Sequence, residues 1–348
     1  VTDLPVVLMR GGTSKGVFMA MSVLPADAGE RDRLLLRLMG SPDPMQLDGL
    51  GGTHSSTSKV MAVGPAGEAG ADVDYLFAQV AIDQPVVDYA GNCGNLTAAV
   101  AHYAVDEGLV PAVAPRTVLR MRNLNTGVIV RATVEVGADA RAAWDGDTVI
   151  DGVPGSGARL VTDYLDPAGS VTGSLFPTGR RTETLDGHDV SIVDVSSPYL
   201  FVAAADFGLT GHEPTAALNA RADLLDTLER LRRAGGARIG VDSLALPRLV
   251  LVAPGEDLRV LATSMGKVHH AVPMTGAVCI GAAAVLDGTV AHAAARPARA
   301  GSSPGQLVVR IEHPKGAVET TVELDGDHVV AAGVIRTARR LLSGTAHL

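Results

Sequence analysis

Gly91-Asn92-Cys93-Gly94-Asn95 runs directly into Leu96-Thr97-Ala98-Ala99-Val100, a polar glycine turn that becomes a helix within a few residues. Leu96, Ala99, Val100, Tyr103 and Ala104 recur at helical spacing, and Asp106-Glu107-Gly108 closes the run. A thiol in the first turn of a helix meets unpaired backbone N–H groups and the positive end of the helix dipole. Both favour a thiolate and both favour a bound anion. A small buried cysteine in a turn is the plainer reading of the same residues.

A second stretch echoes the first. Ser264-Met265-Gly266-Lys267-Val268-His269-His270-Ala271 is followed by Thr275-Gly276-Ala277, which opens an alanine-rich helix reaching Asp287-Gly288. Cys279, Ala282, Ala283 and Leu286 give that helix its inward face. In each half a polar turn feeds a helix of small residues that ends in an acid and a glycine. The repetition predicts two similar lobes, each aiming a helix N-terminus at a shared cleft.

The 348 residues suffice for two domains with full cores, and 47% of them are hydrophobic against 19% charged. Five Phe, five Tyr and one Trp leave the cores to Val, Leu and Ala, and leave no platform for stacking bases. A net charge of -9 argues against nucleic acid or an anionic membrane as partner, while a small anionic substrate stays open. Cys93 and Cys279 are too few for a disulfide framework and fit a reducing compartment. No apolar run approaches 18 residues, and Val1-Thr2-Asp3-Leu4-Pro5 lacks the marks of a signal peptide. The expectation is a soluble cytoplasmic protein, with a homodimer as the candidate assembly.

Strands are expected at Val6–Met9, Val17–Met19, Val60–Val63, Asp74–Val80, Val86–Tyr89, Val118–Met121 and Gly127–Val136 in the first half. Val190–Val195, Tyr199–Ala203, Leu249–Val252, Val260–Ala262, Leu307–Ile311 and Val318–Leu324 follow in the second. Arg31–Met39 and Thr215–Arg233 read as helices, Val334–Leu342 as a closing amphipathic segment, and residues 137–160 as the least structured part. Trp144 there reads as packing.

Arg10-Gly11-Gly12-Thr13-Ser14-Lys15-Gly16 has the wrong glycine spacing for a Walker loop. A hairpin whose N–H groups and Ser14, with Arg10 or Lys15, hold a carboxylate fits better. Ser55-Ser56-Thr57-Ser58-Lys59 is either a solvated loop or an anion cradle, and Lys59 at the mouth of a buried strand is a candidate base. Two helix ends can hold a di- or tricarboxylate and stabilise the charge left when a carbon-bound proton is removed. Lys59 and Cys93 are the best acid–base pair for that task, with His269 and His270 as alternatives. No metal spacing appears.

At these residues the chain resembles the PrpF family of 2-methylaconitate isomerases. The resemblance is carried by Met9–Gly16, Gly40-Ser41-Pro42-Asp43, Asp48–Gly52, Ser55–Lys59, Asp74-Tyr75-Leu76-Phe77 and Gly91–Asn95, then by Ser264–Lys267, His269–Ala271, Thr275-Gly276 and Val334–Arg340. It implies the α+β diaminopimelate-epimerase-like fold: two pseudo-symmetric lobes, each a curved, mostly antiparallel sheet wrapped around a central helix, with the active site between them. Residues 1–165 plus 335–348 would form the first lobe, carrying Lys59 and Cys93. Residues 166–334 would form the second, carrying the His269/Thr275 turn and helix.

The resemblance further implies proton transfer without a cofactor on an unsaturated polycarboxylate, with Lys59 and Cys93 as the functional pair. Ser14, Ser56, Thr57, Ser58, Asn92, Gly94, Asn95, His269, Thr275 and Gly276 would bind substrate. Ser196-Ser197-Pro198 stands where the pattern expects Asn-Pro, and Cys279 lies a turn inside its helix, away from a second catalytic position. The family includes 4-oxalomesaconate tautomerases and methylitaconate isomerases, and Ser55–Lys59 with Gly91-Asn92 leans to the methylaconitate side. An amino-acid epimerase using two thiols and a carboxylate-binding protein without chemistry are the rival readings.

Overall fold

The computed structural model describes residues 3–90, 92–243, 245–301 and 305–348. The chain forms two units, Val1–Thr162 with Arg336–Leu348, and Asp163–Ile335. The first contains β1 (Asp3–Gly11), β2 (Ser14–Ala20), α1 (Ala28–Met39), β3 (Lys59–Pro65), β4 (Val73–Val80), β5 (Val87–Asp88), α2 (Gly94–Asp106), β6 (Arg116–Asn123) and β7 (Ile129–Glu135). β8 (Leu160–Leu165) leads onward to β9 (Glu183–Leu185), β10 (His188–Asp194), β11 (Pro198–Ala203), α3 (Thr215–Asn219), α4 (Ala222–Arg238), β12 (Arg248–Ala253) and β13 (Leu258–Ser264). The second unit continues with β14 (Lys267–Val268), α5 (Met274–Val285), α6 (Val290–Ala294), β15 (Arg299–Ala300), β16 (Gln306–His313), β17 (Gly316–Asp325) and β18 (His328–Arg336), and β19 (Ala338–His347) returns to the first.

Each unit is α+β and mostly antiparallel, the diaminopimelate-epimerase-like arrangement. In the first, β1 pairs antiparallel with β19 and β2, β2 runs parallel to β3, β3 antiparallel to β4, β4 parallel to β6 and β6 antiparallel to β7. The second repeats the pattern. β10 pairs antiparallel with β9 and β11, β11 runs parallel to β12, β12 antiparallel to β13, β13 parallel to β16 and β16 antiparallel to β17.

A helix sits at the centre of each unit. Every residue of α2 from Leu96 to Val105 is buried, and β1, β2, β3, β6, β7 and β19 all touch it. Thirteen residues are marginal as an isolated helix, so α2 exists because strands cover it on all sides. That explains a sequence of small and apolar residues with no polar stripe. α5 is built alike, buried from Gly276 to Ala284 against β10, β11, β16, β17 and α6. α1 covers the outer face of its sheet. Asp27 caps it by accepting from the Glu30 N–H at 2.8 Å, left-handed Gly40 ends it, and Leu35, Leu38 and Met39 pack onto Val17, Met19, Val60 and Ala62.

Two expectations are corrected. Thr215–Arg233 is not one helix. Asn219 donates to the Val268 carbonyl at 3.0 Å and accepts the Val268 N–H at 2.8 Å, and non-helical Arg221 separates α3 from α4. Val334–Leu342 is not one segment either, because the strand is interrupted at Thr337 between β18 and β19. Residues 137–159 hold only turns and isolated bridges before β8 begins, and the Trp144 ring packs 4.7 Å from that of His102. Among the described residues no helix is long and apolar enough to cross a membrane.

Candidate active site

Lys59 opens β3 directly opposite Gln79 of β4. Its side chain is almost fully buried, with Nζ donating to Gln79 Oε1 and lying 5.4 Å from the centre of the Phe77 ring. Burial holds the ammonium below the ordinary lysine value, while the facing Cys93 thiol pulls the opposite way.

Cys93 occupies the N-cap of α2 in an extended conformation, and its buried thiol donates to Ser14 Oγ at 3.6 Å. The first intrahelical bond runs from the Thr97 N–H to the Cys93 carbonyl at 2.8 Å, so the N–H groups of Gly94, Asn95 and Leu96 precede the helix's own ladder. Lysine, thiol, hydroxyl and helix terminus therefore converge within the first unit.

Glycines on either side of Ser14 permit this convergence. A Cβ on Gly11 would lie 2.4 Å from the Asn95 carbonyl oxygen, and one on Gly16 would lie 2.9 Å from the Lys59 carbonyl oxygen. The β1–β2 hairpin can press against the first turn of α2 only without those side chains. Arg10, a possible carboxylate contact from sequence, instead donates to the carbonyls of Gly12 and Thr337 at 3.1 and 2.9 Å, bracing the hairpin.

The other expected residues divide. Ser58 is corrected: fully buried, it donates to the Val80 carbonyl at 2.9 Å and accepts from Gln46 Nε2 at 2.8 Å, so its hydroxyl supports β3 and its one proton is committed to the main chain and not to a carboxylate. Asn95 keeps its backbone N–H in the first turn, but its amide donates to Thr13 Oγ1 and accepts from Arg336 Nε, at 3.1 and 3.2 Å. Asn92 is exposed and accepts from the Thr97 hydroxyl at 3.0 Å. Ser56 and Thr57 are half-buried, pairing with His54 Nδ1 at 2.9 Å and the His54 carbonyl at 3.0 Å. Gly91 lies outside the described residues.

His269, Thr275 and Gly276 belong to the second unit. His269 is exposed, accepts the Ala271 N–H at 3.1 Å and stacks on His270 at 4.3 Å. Thr275 and Gly276 lie in the first turn of α5, whose N-cap is Pro273. Cys279 is wholly buried in that helix. Its thiol reaches the Val193 carbonyl at 3.4 Å, and burial pushes its pKa far up.

Two supporting residues went unread in the sequence. Gln79 is visible only once β3 and β4 are paired in register. Gln46, buried in an irregular stretch, accepts the Thr53 N–H at 2.9 Å and donates to Ser41 Oγ at 3.1 Å as well as to Ser58, fixing the loop ahead of Lys59.

The chain was compared with known proteins. The family model described as PrpF protein matches residues 1–348. The 3-methylitaconate isomerase of Eubacterium barkeri is 40% identical, over 98% of this chain and 96% of that one. The 4-oxalomesaconate tautomerase of Pseudomonas putida is 40% identical over 99% and 95%, and the 2-methyl-aconitate isomerase of Shewanella oneidensis 37% over 97% and 94%. The crystal structure of a methylitaconate delta-isomerase is 40% identical, covers 99% of this chain and 95% of its own, and aligns with a TM-score of 0.91. A match over the full length, with isomerases at this level of identity, carries one conclusion: the chain belongs to the PrpF family and is an isomerase.

Proposed function

We propose that the protein is a cofactor-independent allylic isomerase acting on an unsaturated polycarboxylate such as 2-methylaconitate. The observation that carries this is a desolvated Lys59 amine facing a thiol at the start of α2. Neutral Lys59 takes a proton from the carbon next to the double bond. The electron pair of that C–H bond delocalises through the double bond into a carboxylate, giving a dienolate.

The dienolate then rotates and recovers the proton from Lys59, or takes one at its far carbon from Cys93. In the second case a thiolate and an ammonium remain, and proton transfer from Lys59 to Cys93 restores the starting state. The N–H groups of Gly94 and Asn95, with Ser14, are the donors available to a substrate carboxylate, where they offset the charge that builds up. Ser56 and Thr57 precede Lys59 in the chain, and the Ser56 carbonyl accepts the Lys15 N–H at 2.9 Å.

A two-thiol epimerase is disfavoured. The helix position that holds Cys93 in the first unit holds Pro273 in the second. 4-Oxalomesaconate is the second substrate class, supported by 40% identity to the tautomerase against 37% to the methylaconitate isomerase.

Proton NMR in D2O with cis- and trans-2-methylaconitate, 4-oxalomesaconate and methylitaconate in separate tubes tests the proposal. The expected result is interconversion of isomers with deuterium entering the allylic position, lost in Lys59→Ala. Binding of these acids without exchange would overturn the catalytic reading.

A further inference from the structure

Gln79 is the one direct hydrogen-bond partner described for the Lys59 amine, and its own geometry is closed. Its carboxamide nitrogen donates to the Ser58 carbonyl at 2.8 Å and to the Ser55 carbonyl at 3.2 Å. Both amide protons are thus committed to main-chain oxygens. The amide cannot turn over without setting its oxygen against those carbonyls and its NH2 against the lysine. The oxygen must face Nζ, and Nζ is held where that oxygen is. We propose that Gln79 is a positioning residue for the isomerase reaction, aiming the Lys59 amine while placing no charge beside it. This rests on the reading of Lys59 as the base.

The choice of a neutral acceptor has a physical consequence. A carboxylate at the same distance would stabilise the ammonium, and a lysine that keeps its proton cannot take one from carbon. The ionisable groups on the elements packed against β3 leave that setting intact. Cys93, at the N-cap of α2, interacts electrostatically with Lys59. On β2, the Lys15 ammonium lies beside Gly52, 3.5 Å from where a Cβ would stand. On β4, Asp74 is paired to Arg122 at 2.8 Å, and Tyr75 is buried, 3.2 Å from Thr97 Oγ1.

The test uses two variants and two readouts. The chain has four lysines, Lys15, Lys59, Lys267 and Lys315, so [13Cε]lysine labelling gives a short spectrum in which Lys59→Met identifies the Lys59 signal. In Gln79→Glu, the Lys59 titration and the acid limb of kcat/KM should both move up by about one pH unit or more. In Gln79→Met, kcat should fall at least about tenfold with KM nearly unchanged, because the amine loses its aim but the carboxylate contacts remain.

An unmoved Lys59 titration in folded Gln79→Glu, or a Gln79→Met kcat within about twofold of wild type, would overturn the proposal. If Gln79→Glu does not fold, Gln79→Met decides alone. A Lys59→Met protein turning over at the wild-type rate would overturn the base assignment itself, a failure separable from inactive Lys59→Met beside fully active Gln79→Met.

Discussion

Lys59 and Arg248 hold the same place in their respective units. Each opens a strand that runs parallel to the second arm of a hairpin and antiparallel to the strand that follows. Cys93 and Pro273 likewise share the N-cap of the central helix, and the hairpin turn that bends at left-handed Gly12 in one unit bends at left-handed Ser196 in the other. The frame is repeated and the equipment is not. A lysine can be neutral at working pH and accept a proton, whereas a guanidinium stays charged; a thiol can give up a proton, whereas proline has none to give. In the proposed mechanism, proton transfer is thus confined to the first copy. The second copy places the Arg248 guanidinium, 3.2 Å from the buried Tyr199 hydroxyl, at the position that Lys59 holds in the first.

Substitutions at matched positions test that inequality. The largest effect is expected for Lys59→Ala, a loss of about 10^2 to 10^4 in kcat with the circular dichroism spectrum retained. Adding Arg248→Lys should not restore turnover, and recovery in that double variant would break the comparison. The thiols come next. Cys93→Ser should cost about tenfold to a hundredfold in kcat, whereas Cys279→Ser should leave kcat within about twofold, measured by the same deuterium-exchange assay. A comparable loss from Cys279→Ser would return the two-thiol scheme.

A third expectation concerns pH. Lys59 must be neutral to act, and burial lowers its pKa, so kcat/KM should climb with pH along a limb lying below the ordinary lysine value of 10.5. A limb at that ordinary value would mean that Lys59 is solvated in the working enzyme.

The smallest expected effect is on stability. α2 carries His102 nine residues beyond its N-cap, where α5 carries Ala282. Burial holds His102 neutral, its pKa pushed down to about 4 from 6.5. The unfolded chain takes up this proton below about pH 6.5 and the folded chain only near 4. The contribution is therefore complete above 6.5 and declines as pH falls towards 4. Urea unfolding at about pH 7.5 and about pH 5 should differ by about 2 kcal/mol more in wild type than in His102→Gln.

Legibility in the sequence followed the kind of signal. α2 and α5 could be read because burial on every side enforces an unbroken run of small and apolar residues, bounded by polar turns. Lys59 and Cys93 could be singled out because each lies where a polar loop meets a buried element. Gln79 could not, since its partnership arises from the β3–β4 register across twenty residues of chain. Ser58 was misassigned because a serine in a hydroxyl-rich loop looks the same whether it faces solvent or the Val80 carbonyl. The α3–α4 break was hidden too: leucines keep helical spacing across it, while the backbone leaves the helix at Arg221, just after Asn219 bonds Val268.

β19 pairs with β1 from Asp3↔His347 to Gly11↔Ala338, closing the sheet around α2 with a strand made after the whole of the second unit. On the ribosome this sets an order of assembly. At about 5–20 residues per second, the stretch from Asp163 to Ile335 takes roughly ten to thirty-five seconds to synthesise. Through that interval Lys59 and Cys93 already exist, yet the helix that presents the thiol lacks one of its walls. In the proposed mechanism the lysine and the thiol therefore wait for the last wall around α2 until the second unit has been made, and a message cut short before Ala338 yields protein without β19.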